Sequence, residues 1–341
     1  MTRRLRHVAL VAGVLVALAL TLLAVLAPAP EPDARPHPFN QDRNAVWLEA
    51  RWLRRAQDEA EVESLIASLD RHGVRYLFPH LIPFSSAGRL PVDEREPMRA
   101  FLAVARRVAP EMKVLPWVGG LRVGYRRQRP GTIDLADLAQ RQRLAAECRG
   151  LTDEGFDGVH LDIEPVDDGN SDFLALLRAL RTAVGANHLL SLAAIRPGPI
   201  GLPFAPNFVW TPAYYARVAG LADQLVVMAY DTGLPSAGLY RRYVAWAAAA
   251  STRAVAGTRA RLLFGVPTYE DWGLMHRAGV ETPENALPSI VAGLRGVGAG
   301  GTVEGVALYA EWTTDAREWA VYETLWRGTG RFEVKPAPRL P

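Results

Sequence analysis

Cysteine and lysine are almost absent from this chain. Cys148 is the only cysteine in 341 residues, so no intrachain disulfide and no cysteine-rich metal site can form. It sits in a helical Arg/Ala stretch and reads as a structural residue. Lys113 and Lys335 are the only lysines, and arginine supplies nearly all of the 39 basic residues that face 36 acidic ones. Arg3, Arg4 and Arg6 precede any acidic residue, and once they are set aside the charges balance. No basic stripe is present, so no nucleic-acid partner is expected. There is no His-x-His pair, and no Gly-rich turn follows the first strand candidate, as an open doubly wound sheet would want. No cofactor and no metal are expected.

What the chain does have is apolar material, 49% of its residues against 22% charged, enough for a large core. Val8 to Ala27 is an uncharged run behind a basic start. Its 20 residues suffice to span a bilayer, so residues 1–27 read as a membrane anchor or as a signal peptide cut near Ala27-Pro28-Ala29. Arginines ahead of such a run place everything after it outside the cytoplasm, membrane-anchored or secreted. Residues 28–39 hold five prolines between Pro28 and Pro38 and read as an extended tether. Residues 331–341 read as a tail.

Between them, over 40–330, short apolar runs alternate with amphipathic stretches. Strands are expected within Ala45–Leu53, Val74–Phe84, Lys113–Gly120, Gly158–Val166, Leu189–Pro197, Gln224–Thr232, Arg261–Tyr269 and Val303–Trp312. Helices are expected within Asp58–His72, Glu94–Val108, Asp134–Glu154, Ser171–Val184, Tyr240–Ala256, Glu284–Val297 and Thr314–Trp326. Strands separated by helices pair in parallel, and eight units in about 290 residues make an α/β protein of the (β/α)8 TIM-barrel class.

Such a barrel keeps its chemistry at the carboxyl ends of its strands. On the fourth candidate, alternation puts His160, Asp162 and Glu164 on one face and Val159, Leu161 and Ile163 on the other. The apolar face packs on helices, so the ionisable face points inward. Burying three ionisable groups costs several kcal/mol unless they are paired, which a purely structural strand has no reason to incur. Aromatics close several other strands: Trp117 on the third, Tyr230 beside Met228 on the sixth, Tyr269 on the seventh, Tyr309 and Trp312 on the eighth. Converging aromatic rings suit the apolar faces of sugars.

These segments resemble glycoside hydrolase family 18, the chitinase-like barrels. That family's Asp-Gly-x-Asp-x-Asp-x-Glu is matched by Asp157, Gly158, Asp162 and Glu164, with His160 in place of the middle Asp. Its Met-x-Tyr-Asp is matched by Met228, Tyr230 and Asp231. Trp117-Val118-Gly119-Gly120 is similar to its Ser-x-Gly-Gly, and Gly265 to Tyr269 to its Gly-hydrophobic-Pro-x-Tyr. The resemblance implies a glycosidase acting on polysaccharide or oligosaccharide that contains N-acetylglucosamine, chitin-like or peptidoglycan. Its nucleophile would be the substrate's own acetamido oxygen. Glu164 would be general acid and then base, Asp162 would orient the acetamido group, and Tyr230 would hydrogen-bond its carbonyl. Asp157, His160, Trp117, Met228, Asp231, Tyr269, Tyr309 and Trp312 would shape substrate binding, with Tyr309 standing where the family has a Trp floor. His160 is expected to couple to Asp162, its protonated ring holding that carboxylate ionised.

Three other readings compete. Glu164 and Glu270 match in position the acid and nucleophile of ordinary retaining barrel glycosidases, although Ile163 stands where those usually carry Asn. A metal site would recruit His160, Asp162, Glu164 and His80. A third reading is a barrel that keeps its sugar-binding face at the cell surface but has lost turnover.

Overall fold

The computed structural model describes residues 37–329 apart from 86, 92–94, 124–131, 200, 202–206, 271–274 and 299–300. The apolar run Val8 to Ala27, most of the tether and the tail lie outside the described residues. Among the described residues no helix is long and apolar enough to cross a membrane.

Nine parallel strands form one curled sheet, wrapped by helices, a TIM-like α/β fold. They are β1 (Asn44–Leu48), β2 (Val74–Pro79), β3 (Lys113–Val114), β4 (Trp117–Leu121), β5 (Gly158–Glu164), β6 (Leu189–Ala194), β7 (Gln224–Val227), β8 (Arg261–Pro267) and β9 (Val303–Tyr309). Each of the eight expected runs carries a strand. The third carries two, because Pro116 has no N–H to continue the ladder. The hydrogen-bonded order runs β3-β2-β1-β9-β8-β7-β6-β5-β4, so it begins and ends on this one split stretch. Leu115 N–H donates to the Leu77 carbonyl at 2.9 Å on one side, and His160 N–H donates to the Pro116 carbonyl at 3.0 Å on the other.

The first run is shorter than expected: after Leu48 the chain turns into a short helix, Arg51–Arg54. A helix over Pro212–Ala219 was not anticipated, although Thr211 caps its start and Pro212 opens it, a recognisable signal. The remaining helices fall within a few residues of expectation. Asp58, Asp137, Asn170 and Ser236 each accept a backbone N–H at a helix start.

Most apolar side chains pack between sheet and helices. A second cluster fills the sheet's interior, with the aromatic rings of Trp47, Tyr76, Phe78 and Trp117 among its members. Alternation along β5 sends Val159, Leu161 and Ile163 into the outer layer, which aims His160, Asp162 and Glu164 inward as expected.

Candidate active site

A cavity of about 510 Å³ opens at the carboxyl ends of the strands. Its lining includes Trp47, His80, Trp117, Asp162, Glu164, Met228, Tyr230, Asp231 and Tyr309. Asp162 and Glu164 form the floor. The Trp117 indole N–H donates to Asp162 Oδ2 at 2.8 Å. Burial raises the pKa of Asp162, opposed by hydrogen bonds from Trp117 and Glu164. Glu164 is pushed well above the carboxylate range by burial first and by the Asp162 charge second, with Arg196 pulling the other way. Two such carboxyls side by side disfavour a second negative charge, and the indole biases which of them carries the first. By donating to Asp162 it favours the charge there, so the proton belongs to Glu164.

The wall is built from the chain following β7 and β8. Tyr230 stacks on Tyr309 with ring centres 5.9 Å apart, and Gly265 leaves room for it: a Cβ there would lie 2.6 Å from the Tyr230 ring. Asp231, in a left-handed conformation (φ 52°), accepts the Tyr269 hydroxyl at 2.5 Å. His276 and Tyr269 hold its carboxyl below the ordinary carboxylate range although burial works against them.

Comparison with known proteins identifies the family. Residues 70–331 match Glycosyl hydrolases family 18. The chain belongs to that family. No curated protein matches the sequence. Among solved structures, the chain is similar to the Bacillus cereus spore cortex-lytic enzyme SleL, at TM-score 0.57 and 10% identity over 86% of this chain and 76% of that one. It is also similar to a class V chitinase from Pseudomonas fluorescens Pf-5, at TM-score 0.53 and 17% identity over 83% and 98%. A chitinase from Chromobacterium violaceum gives TM-score 0.54 and 13% identity over 83% and 98%. At these identities the likeness concerns the fold.

The family-18 segments do not all serve the cavity. Asp157 stands at the opposite end of β5, where Arg106, Lys113 and the Val114 N–H surround its carboxylate at 2.7, 3.1 and 2.9 Å. It ties strand to helix and lies outside the cavity lining. His160 likewise lies outside the cavity lining. It is fully buried, stacked on Phe78 at 3.9 Å, and its Nδ1 meets Ser191 Oγ at 2.8 Å. Ser191 Oγ donates onward to Gln224, which leaves it to accept the Nδ1 proton of a neutral ring. Burial drives the His160 pKa down to about 3, so the expected imidazolium beside Asp162 does not form. Trp117 supplies the hydrogen bond instead.

Tyr269 acts on Asp231 rather than lining the cavity. Trp312 stands edge-on to Tyr309, ring centres 5.9 Å apart, outside the lining set. Gly119 keeps β4 against β5: a Cβ there would lie 1.6 Å from the Asp162 carbonyl oxygen. Glu270 is exposed and borders a separate depression with Glu284 and Arg317, so the ordinary retaining pair does not assemble. Of the metal reading, His80, Asp162 and Glu164 line the cavity and His160 does not, and among the described residues these side chains do not bring three ligand atoms within 4.8 Å of one another. Sequence reasoning missed Trp47, although alternation from β1 could have found it, and it missed His276 and Glu281, which no spacing announces.

Proposed function

We propose that this family-18 chain hydrolyses polysaccharide or oligosaccharide containing N-acetylglucosamine, chitin-like or peptidoglycan, with retention and with the substrate's acetamido group as nucleophile. One observation carries the reading: two adjacent carboxyls on the floor of an aromatic cavity, Asp162 accepting the Trp117 indole N–H and Glu164 pushed well above the carboxylate range by burial and by Asp162. The names of the similar structures, chitinases and a spore cortex-lytic enzyme, point to the same substrate class.

The sequence of events follows from the pair. Protonated Glu164 gives its proton to the glycosidic oxygen as that bond breaks, while the acetamido carbonyl oxygen attacks the anomeric carbon. The cationic ring so formed carries its positive charge beside ionised Asp162, and the Tyr230 hydroxyl positions the acetamido carbonyl. Glu164, now a carboxylate, takes a proton from water as the water oxygen attacks the anomeric carbon and displaces the acetamido oxygen, which restores both Glu164 and the acetamido group. Tyr309, Trp117 and Trp47 provide apolar surface for sugar rings.

Replacing Glu164 by Gln keeps the shape and removes the proton. Reducing-end release from an N-acetylglucosamine oligomer should fall at least ~10³-fold while the oligomer still binds. A Glu164→Gln protein that retains full activity would remove Glu164 from this role. A natural protein that binds the oligomer without releasing reducing ends would be a binding barrel.

The segment Val8 to Ala27 is read as anchoring or exporting the body, residues 40–330, outside the cytoplasm. Cell fractionation should recover the protein with membranes or outside the cell, and full-length protein in the soluble cytosol would refute this.

A further inference from the structure

Behind the cavity wall lies a second carboxylate cluster. Glu281, just before the helix Pro283–Arg295, is fully buried, and three donors converge on its carboxylate: Asp231 N–H at 2.6 Å, Thr232 N–H at 2.9 Å and the Thr232 hydroxyl at 2.6 Å. Its grip holds the chain where Asp231 takes its left-handed turn, a conformation an Asp adopts at modest cost. The His276 ring, also buried, lies between the two acids, with Nδ1 3.3 Å from Glu281 Oε2 and 3.5 Å from Asp231 Oδ1. The Tyr269 ring covers it at 4.2 Å. Asp231 Oδ1 is thus engaged by Tyr269 and His276, and Oδ2 is the oxygen left for a ligand in the cavity.

We propose that His276 and Glu281 are positioning residues that hold Asp231 ionised, with one oxygen presented to the sugar, and that His276 acts on sugar binding only through Asp231. This rests on the proposed function for its ligand, though not for its geometry. A buried acid, Glu281, and a half-exposed one, Asp231, face the same imidazole nitrogen, and a protonated ring supplies the positive charge that lets both stay ionised. The two acids raise the His276 pKa to about 9 against the cost of burial. Other ionisable groups packed around the cluster are the buried Tyr240 phenol, close to Glu281, and Arg196, whose charge reaches Asp231 from the chain after β6.

The same three side chains have the composition of a small metal site, their ligand atoms lying within 4.8 Å of one another. An imidazolium accounts for the arrangement without an ion, and the test separates the two.

The test is a double-mutant cycle read by calorimetric binding of an N-acetylglucosamine tetramer, every protein carrying Glu164→Gln to prevent turnover. Asp231→Asn and His276→Gln should each weaken binding about tenfold, and the two together no more than Asp231→Asn alone. Additive losses, or full affinity with His276→Gln, overturn the proposal. Weakening by a chelator does so too, because it assigns the cluster to a cation. In parallel, proton NMR of the natural protein should show a histidine titrating near 9, identified by its disappearance in His276→Gln and shifted to lower pH in Asp231→Asn. An unmoved titration contradicts the coupling. If the starting protein binds no tetramer, the functional reading fails and the NMR result decides the positioning alone. If His276→Gln does not fold, a histidine of the natural protein that titrates near 9 and moves to lower pH in Asp231→Asn decides it.

Discussion

The floor and the wall of the cavity use the same three kinds of residue to opposite ends. On the floor Asp162 and Glu164 stand together while their histidine, His160, is turned away into an aromatic stack. On the wall Asp231 and Glu281 stand together with His276 inserted between them. With no imidazolium beside it and only the Arg196 charge in reach, the floor pair retains a proton, and with His276 beside it the wall carboxylate is held ionised. Where the imidazole lies, rather than which residues are present, decides whether a carboxyl pair becomes an acid or a fixed anion.

The largest way to break this contrast, after loss of Glu164 itself, is to remove the donor that biases the floor. Trp117→Phe keeps the ring and deletes the N–H. Loss of a hydrogen bond to a charged group, about 1.5–3 kcal/mol, should lower kcat/KM roughly 10–100-fold. Asp162 should then hold its proton to higher pH, so the acid limb of the pH profile should move upward. An unshifted limb would mean that Trp117 only packs.

A smaller effect is expected in stability. The folded pKa of His276, about 9, lies above the 6.5 of a free histidine, so its contribution is complete below about pH 6.5 and is lost as pH rises toward 9. His160 is the mirror case: with a folded pKa near 3, its contribution is complete above about pH 6.5 and is lost as pH falls toward 3. Thermal melting of the natural protein should therefore drop between pH 7 and 9 by roughly 5 °C more than that of His276→Gln. Parallel curves would show that His276 is not charged.

These histidines also mark how far the sequence could be read. The alternating runs located the strands because period-two burial and helical spacing are local properties, Asp162, Glu164 and Tyr230 followed from strand ends sharing one rim, and Asp231 followed from the resemblance of its segment to the family's. The same alternation placed His160 inward correctly, but depth along the strand decided its role. One step below Asp162 it meets Phe78 and Ser191, contacts made by two other strands. Asp157 failed similarly, lying at the far end of its strand from the mouth. His276 and Glu281 come from a loop, where no periodicity reports direction, and their meaning arises only from meeting Asp231 across about fifty residues. The smallest predicted effect tests the His160 correction: pH profiles of kcat/KM for the natural protein and His160→Gln should superimpose in shape above about pH 5, since the buried ring stays neutral there. A limb lost with the substitution would restore it to the catalytic pair.

The central claim is that the substrate supplies the nucleophile and Glu164 alone supplies and recovers the proton. The most direct measurement compares cleavage of an N-acetylglucosamine oligomer with that of the same oligomer de-N-acetylated, following the anomer first released by NMR. The account predicts cleavage with retention only of the acetylated oligomer. Comparable cleavage of the de-N-acetylated oligomer, or release of the inverted anomer, would contradict it.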